Sequence, residues 1–342
     1  MGKKVLITLV DPSSNNAGPK ARTDVEYFLK QEGFECWKLK YDVSHNLSGR
    51  LKKLKYINFD IPHLFNKKKI DEIIIQYPLY SNALMDTFIK NIRKYTNAKL
   101  VVMIHDIESL RFYKDDVEYL TKEKKWLSQV DGIIAHNDKM IEWIRKQGIT
   151  TPTVPLGIFD YQNPQPLQNN VTYKKTVSYA GNLRKSVFLE KIQLQRGSQL
   201  DVFGPNPRHY SKKVNYCGQY TPEELPLHLQ ENFGLVWDGK SLESCDGTTG
   251  NYLKYNCPHK ASLYLSTGIP VIIWKSAALA DLIEKEKIGI TVDNLEDLSA
   301  ILERVTPEKY VEIKKNTLEF AEKLRSGKQI KTAVNKIETE LN

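Results

Sequence analysis

Residues 238–274 read DGKSLESCDGTTGNYLKYNCPHKASLYLSTGIPVIIW, and this stretch decides how the chain is built. A polar, glycine-rich loop runs into a helix opening at Pro258-His259-Lys260, a Gly268-Ile269-Pro270 stop and the apolar run Val271 to Trp274. Proline at a first helical position leaves the N–H groups of His259 and Lys260 unclaimed, and the helix dipole adds partial positive charge at that end. An anion fits there, and Lys260 adds a full charge in the same turn. The strand that follows is apolar throughout, as expected when both faces of a parallel sheet are covered.

The same alternation extends outward in both directions. Before the stretch, apolar runs at residues 5–10, 35–41, 72–77, 100–105 and 132–136 alternate with helical patterns at 23–31, 84–95, 117–127 and 139–147. The pattern restarts after a Pro- and Gln-rich segment, with strands expected at 176–180, 200–203, 234–237 and 271–274. Two α/β halves follow. The boundaries predicted are 1–158, a hinge at 159–168, a second domain at 169–305 and closing helices at 306–342, with 342 residues ample for two cores. Thr221-Pro222-Glu223-Glu224 reads as a capping box, and Thr306-Pro307-Glu308 starts another helix. Ligands of open α/β sheets bind at the carboxyl ends of the strands, which places the expected site in a cleft between two facing Rossmann-like domains. Periodicity alone suits a sugar-nucleotide transferase, a two-lobed binding protein or a dehydrogenase equally.

Composition narrows the classes. Hydrophobic residues make up 41% and charged residues 27%, which excludes disorder for most of the chain. No apolar run is long enough to span a bilayer and no cleavage site follows MGKKVLITLV, so a cytoplasmic location is expected. Four scattered cysteines give no disulfide framework. The net charge of +9 favours an anionic partner, but the lysines lie in small separate groups rather than in one stripe, which argues against nucleic acid.

Single motifs then add chemistry. The loop after the first strand, residues 11–18, lacks Gly-x-Gly-x-x-Gly, which weakens the dehydrogenase option; its Asn15 and Asn16 could meet a sugar or acceptor. Gly181-Asn182-Leu183-Arg184 ends the first strand of the second half, so Arg184 can grip a phosphate, and Tyr220 could lie over a base. In the first half, His105-Asp106 closes a buried strand and offers a general base for a sugar hydroxyl. Cys217, Cys245, Cys257 and His259 match no zinc spacing, and no Asp-x-Asp pair is present to hold a nucleotide-bound metal, so neither metal nor cofactor is expected. Residues 46–69 set Leu47, Leu51 and Leu54 at helical spacing among Arg50, Lys52, Lys53 and Lys55, which suits either a core-packed helix or peripheral contact with an anionic membrane.

On these residues the chain resembles a known group. The run from GLVWDG through CDGTTGNYLKYNCPHKASLYLSTGIPVIIWKSAALAD, residues 234–281, is very similar to bacterial β-1,6-galactofuranosyltransferases of O-antigen and exopolysaccharide synthesis. More distantly, AGNLRK, GQYTPEEL and the Ile-His-Asp element resemble the glucosyltransferases that extend GlcNAc on serine-rich adhesins. The resemblance implies a GT-B fold with a C-terminal helix returning to the N-terminal domain, a UDP-sugar donor and no metal. It places Gly181, Asn182, Arg184, Asn256, His259 and Lys260 around the donor, with Tyr220 near uridine. Many GT-B enzymes carry two glutamates ahead of the Gly-x-Pro; Tyr255 and Leu263 stand there instead, leaving Asp246, Asn251 and Asn256 to contact the sugar. The expectation is an inverting hexosyltransferase moving galactofuranose to a lipid-linked or glycoprotein saccharide, with Asp106 as base and His105 second to it. The alternatives are a UDP-glucose enzyme acting on a serine-rich surface glycoprotein and a non-catalytic UDP-sugar-binding subunit. A homo-oligomer is compatible with this architecture and not required by it.

Overall fold

A computed structural model describes residues 2–10, 17–40, 53–66, 68–195 and 197–342. Two compact units form, one from residues 1–156 with 330–342 and the other from 157–329. Residues 159–168, expected as a hinge, therefore pack within the second unit: Tyr161 N–H donates to Leu324 O and Gln168 N–H to Thr267 O.

The first unit is built on six parallel strands: β1 (Lys4–Val10), β2 (Phe34–Lys40), β3 (Glu72–Tyr77), β4 (Lys99–Ile104), β5 (Gly132–Ala135) and β6 (Thr153–Pro155). They lie in the order β2-β1-β3-β4-β5-β6. The second unit has β7 (Thr176–Ala180), β8 (Gln199–Phe203), β9 (Val214–Tyr216), β10 (Phe233–Val236), β11 (Val271–Trp274) and β12 (Gly289–Val292), ordered β12-β11-β10-β7-β8-β9. Each sheet reverses its winding once, between β1 and β3 and between β7 and β10. Connections leaving such a pair run to opposite faces, which opens a crevice at the carboxyl ends of the two strands.

The central strands are buried on both sides: Ile73, Ile74 and Ile75 of β3, Val101 to Ile104 of β4 and Val271 to Ile273 of β11 have no exposed surface. Each such side chain contributes roughly 1.5–3 kcal/mol over an exposed one. The strands at β6, β9 and β12 were not expected; they are only three or four residues long. The first helix spans Ala17–Gln31 rather than starting at Thr23. Pro19 sits in its first turn, where a missing N–H costs nothing.

Helix His259–Thr267 is fixed tightly to the second sheet. A Cβ on Gly234 would fall 2.1 Å from Tyr264 Cγ, so glycine there lets the tyrosine lie against β10. Its hydroxyl then accepts from Ala180 N–H of β7 at 2.6 Å. Pro258 is the N-cap of this helix, one place before the first-turn position expected, and Gly268 closes it at φ +86°. The capping box at Thr221 and Glu224 forms as read, but only the four residues Leu225–His228 are helical after it. Thr306 caps the long helix Pro307–Arg325 by accepting from Lys309 N–H. No helix among the described residues is long and apolar enough to cross a membrane.

Candidate active site

The crevice between β7 and β10 holds one of the residues expected at the donor. Lys260, in the first turn of its helix, reaches between the two strands and donates to Tyr179 Oη (3.1 Å), Trp237 O (3.0 Å) and Asp238 Oδ1 (3.1 Å). Burial works against its charge, but Asp238, Tyr179 and Tyr264 outweigh that cost and hold the ammonium protonated well above the usual lysine range. Burial likewise pushes the Tyr179 phenol up, so it stays neutral while bonded to Ser186 Oγ at 2.6 Å. The result is a fixed cation with 15% of its side chain exposed.

Just beyond β7, Gly181 passes Gly204 so closely that a Cβ on Gly204 would fall 1.9 Å from Gly181 O. Gly204 has φ +135°, a region that disfavours other residues. Asn182 caps the short turn after it by accepting from Arg184 N–H at 3.1 Å. Arg184 itself is exposed, and its guanidinium has no protein partner among the described residues. One strand further along, Tyr220 lies near Phe203 with one ring face stacked on His228 at 3.5 Å.

Other residues proposed for the donor take different places. Asp246 closes its own loop, its Oδ1 accepting from Lys240 N–H and Ser241 N–H. Asn251 is exposed on the helix Gly247–Tyr252. Asn256 has its Oδ1 buried with no hydrogen-bond partner among the described residues. His259 packs its ring against Tyr161 at 4.9 Å, and Cys257 Sγ donates to Gly157 O, so both face the 157–161 segment. Asn15 and Asn16 lie outside the described residues, as do residues 46–52 of the basic segment.

In the first unit the end of β4 is braced from below. His136 is fully buried, which pushes its imidazole down to about 4; the neutral ring donates Nε2–H to Ile104 O at 3.1 Å. His105 Nε2 lies 2.7 Å from Gln76 Oε1 of β3. Asp106 Oδ2 accepts from Arg111 Nη1 at 2.6 Å. Two carboxylates missed by sequence reasoning lie beside it. Glu123 accepts from the backbone N–H groups of Glu108 and Ser109 and from the Tyr77 hydroxyl, which pins the turn. Glu108 is pushed up to about 7 by burial and by the neighbouring Asp106, against the pull of Arg111. Glu123 was legible as an acid falling in the apolar stripe of Tyr119, Trp126 and Leu127.

Two six-stranded parallel sheets, each reversing its winding once, form the two-domain fold of the GT-B glycosyltransferases. The sequence matches the glucosyltransferase 3-like N-terminal domain over residues 3–158 and the corresponding C-terminal domain over 177–337, and the chain belongs to this family. It is a hexosyltransferase. It is 36% identical over 250 residues to the β-1,6-galactofuranosyltransferase WbbI of Escherichia coli K12, covering 70% of this chain and 71% of that protein. It is 28% identical over 331 residues to glucosyltransferase 3 of Streptococcus gordonii, with 95% of both covered. In fold it is similar to sucrose-phosphate synthase of Thermosynechococcus elongatus, with TM-score 0.61 at 14% identity, covering 100% of this chain and 99% of that one. An Escherichia coli trehalose-6-phosphate structure bound with UDP-2-fluoro glucose gives TM-score 0.62 at 12% identity, with 98% of both chains covered.

Proposed function

We propose that this enzyme transfers galactofuranose from UDP-galactofuranose to a saccharide acceptor in cell-surface glycan assembly, inverting the anomeric centre and using no metal. The observation that carries the reading is Lys260, held charged between β7 and β10 with Arg184 beside the same strand end. As the anomeric C–O bond breaks, negative charge grows on the departing diphosphate, and two positive groups aimed there stabilise it more than the ground state. Asp106 takes the proton of the acceptor hydroxyl while that oxygen attacks the anomeric carbon; Arg111 orients the carboxylate. The 36% identity to a galactofuranosyltransferase supports the choice of donor.

A second reading, UDP-glucose transfer to GlcNAc on a serine-rich glycoprotein, is favoured by full-length similarity to the streptococcal glucosyltransferase. Incubation with UDP-galactofuranose, UDP-galactopyranose and UDP-glucose, with and without EDTA, separates the two. We expect turnover of the first alone, unchanged by EDTA. Preference for UDP-glucose selects the second reading, and loss of activity in EDTA overturns metal independence.

The enzyme acts, in this reading, at the cytoplasmic face of a membrane on a lipid-linked or glycoprotein acceptor. Leu54 and Phe59 are 56% and 70% exposed beside Lys53 and Lys55, which supports peripheral contact with anionic lipid. Cosedimentation with phosphatidylglycerol vesicles that is unchanged by Leu54→Ser with Phe59→Ser would refute that contact.

A further inference from the structure

The switch point of the first sheet carries more than a base. The chain leaves β3 through Pro78, Leu79 and Tyr80, and Tyr80 adopts φ +51°, the left-handed region that disfavours residues other than glycine. Such strain is ordinarily relieved by burial of the residue, yet Tyr80 is 57% exposed. It is held there by Arg22, whose guanidinium hydrogen-bonds its side chain.

What lies behind the ring is a buried cation. Arg22, from helix Ala17–Gln31, donates Nη1 to Gln76 O at 2.8 Å and Nη2 to Pro78 O at 2.7 Å, which fixes the turn. Its guanidinium carbon stands 5.6 Å from the Tyr80 ring centroid, so one π face is backed. A second ring repeats the arrangement. Phe112 is 54% exposed, and Arg111 lies 4.4 Å from its centroid while paired with Asp106. Asp106 and Glu108 both lie near enough to Tyr80 to oppose ionisation of its phenol, after burial and against Arg22. Glu108, only 6% exposed, has Arg111 Nη1 at 3.9 Å from Oε1 and no hydrogen-bond partner on that atom among the described residues.

Exposed aromatic faces over carboxylates and guanidinium groups suit a neutral polyhydroxylated ring. The C–H bonds of one sugar face meet the negative π surface, and the hydroxyls at the rim donate to carboxylates and accept from arginine. A nucleotide could stack on the same rings, but its phosphates would face two carboxylates. We propose that Tyr80 and Phe112 form the platform for the acceptor hexose and set acceptor specificity. The inference rests on the transferase reading above and deepens it on the acceptor side.

The test uses p-nitrophenyl glycosides of glucose, galactose and N-acetylglucosamine. Their binding is followed by saturation-transfer NMR with UDP present, so that the platform is tested without turnover. Wild type should bind at least one glycoside. Tyr80→Ala should weaken that binding about tenfold or more, Phe112→Ala should weaken it less, and Tyr80→Phe should stay within about threefold of wild type. UDP affinity by calorimetry and the melting temperature of Tyr80→Ala should match wild type. Unchanged glycoside affinity in Tyr80→Ala, or no glycoside bound by wild type, overturns the platform. A loss of UDP affinity or of melting temperature equal to the loss of glycoside makes Tyr80 structural, which also overturns it. Failure of wild type to release sugar from any UDP donor, with glycoside binding intact, instead overturns the transferase reading.

Discussion

At the β7–β10 switch point, positive charge is installed on a rigid element: Lys260 is tied by three hydrogen bonds to two strand ends, and its helix is locked to the sheet through Tyr264. At the β1–β3 switch point and the adjoining end of β4, the groups are acidic and aromatic: Asp106, Glu108, Tyr80 and Phe112, each in contact with or close to an arginine. In the proposed reaction the leaving diphosphate calls for cations and the incoming hydroxyl for a proton acceptor.

That division can be broken one side at a time. The largest effect is expected from Lys260→Ala, which removes a transition-state cation and leaves Asp238 without it; transfer should fall by 10²–10³-fold, about 2.7–4 kcal/mol, with a lower melting temperature. Normal turnover in a folded variant would make Lys260 purely structural. Asp106→Asn comes next. Transfer should fall about a hundredfold while calorimetric UDP affinity holds, because the residues proposed to grip the donor belong to the other sheet. If His105→Ala loses activity and Asp106→Asn does not, the base moves back one residue. Arg184→Ala should cost about tenfold in UDP affinity, and more at low salt than high, since the guanidinium is exposed and screened. Salt independence would remove it from the diphosphate.

The smallest expected effect concerns stability. Glu231 is pushed up to about 7 by burial and by Asp201. Unfolded, it releases its proton near pH 4.5, so between 4.5 and 7 the folded state binds the proton more tightly. Stability therefore falls as pH rises through that window, and the full penalty persists above 7. Glu231→Gln should raise the melting temperature by about 2–4 °C at pH 8 and leave it unchanged at pH 4.5. An equal gain at both values would deny the titration.

Much of the scaffold was legible because parallel strands, buried on both faces, read as unbroken apolar runs; Ile73-Ile74-Ile75 and Val271-Ile272-Ile273 are plain examples. The strands that escaped were Thr153–Pro155, Val214–Tyr216 and Gly289–Val292, too short and too exposed to leave a pattern. At the site, residue types at strand ends pointed to His105-Asp106 and to Arg184, because a strand end fixes where the next side chains go. Partners were not legible. Nothing local tells that Asp246 bonds its own loop or that Lys260 reaches Tyr179 from 81 positions away. Tyr80 was missed because a tyrosine after Pro-Leu carries no sign of its left-handed backbone.

The first sheet is finished by the far end of the chain. Helix Lys328–Leu341 lays Ile337 over Gly132, where an added Cβ would stand 2.7 Å from Ile337 Cγ1, and Glu338 pairs with Lys4 at 2.6 Å. A ribosome makes Lys4 early and Glu338 more than three hundred residues later. The unit synthesised first must then wait for the whole of the second before this helix arrives, so a premature stop ahead of residue 328 damages the half that was translated first.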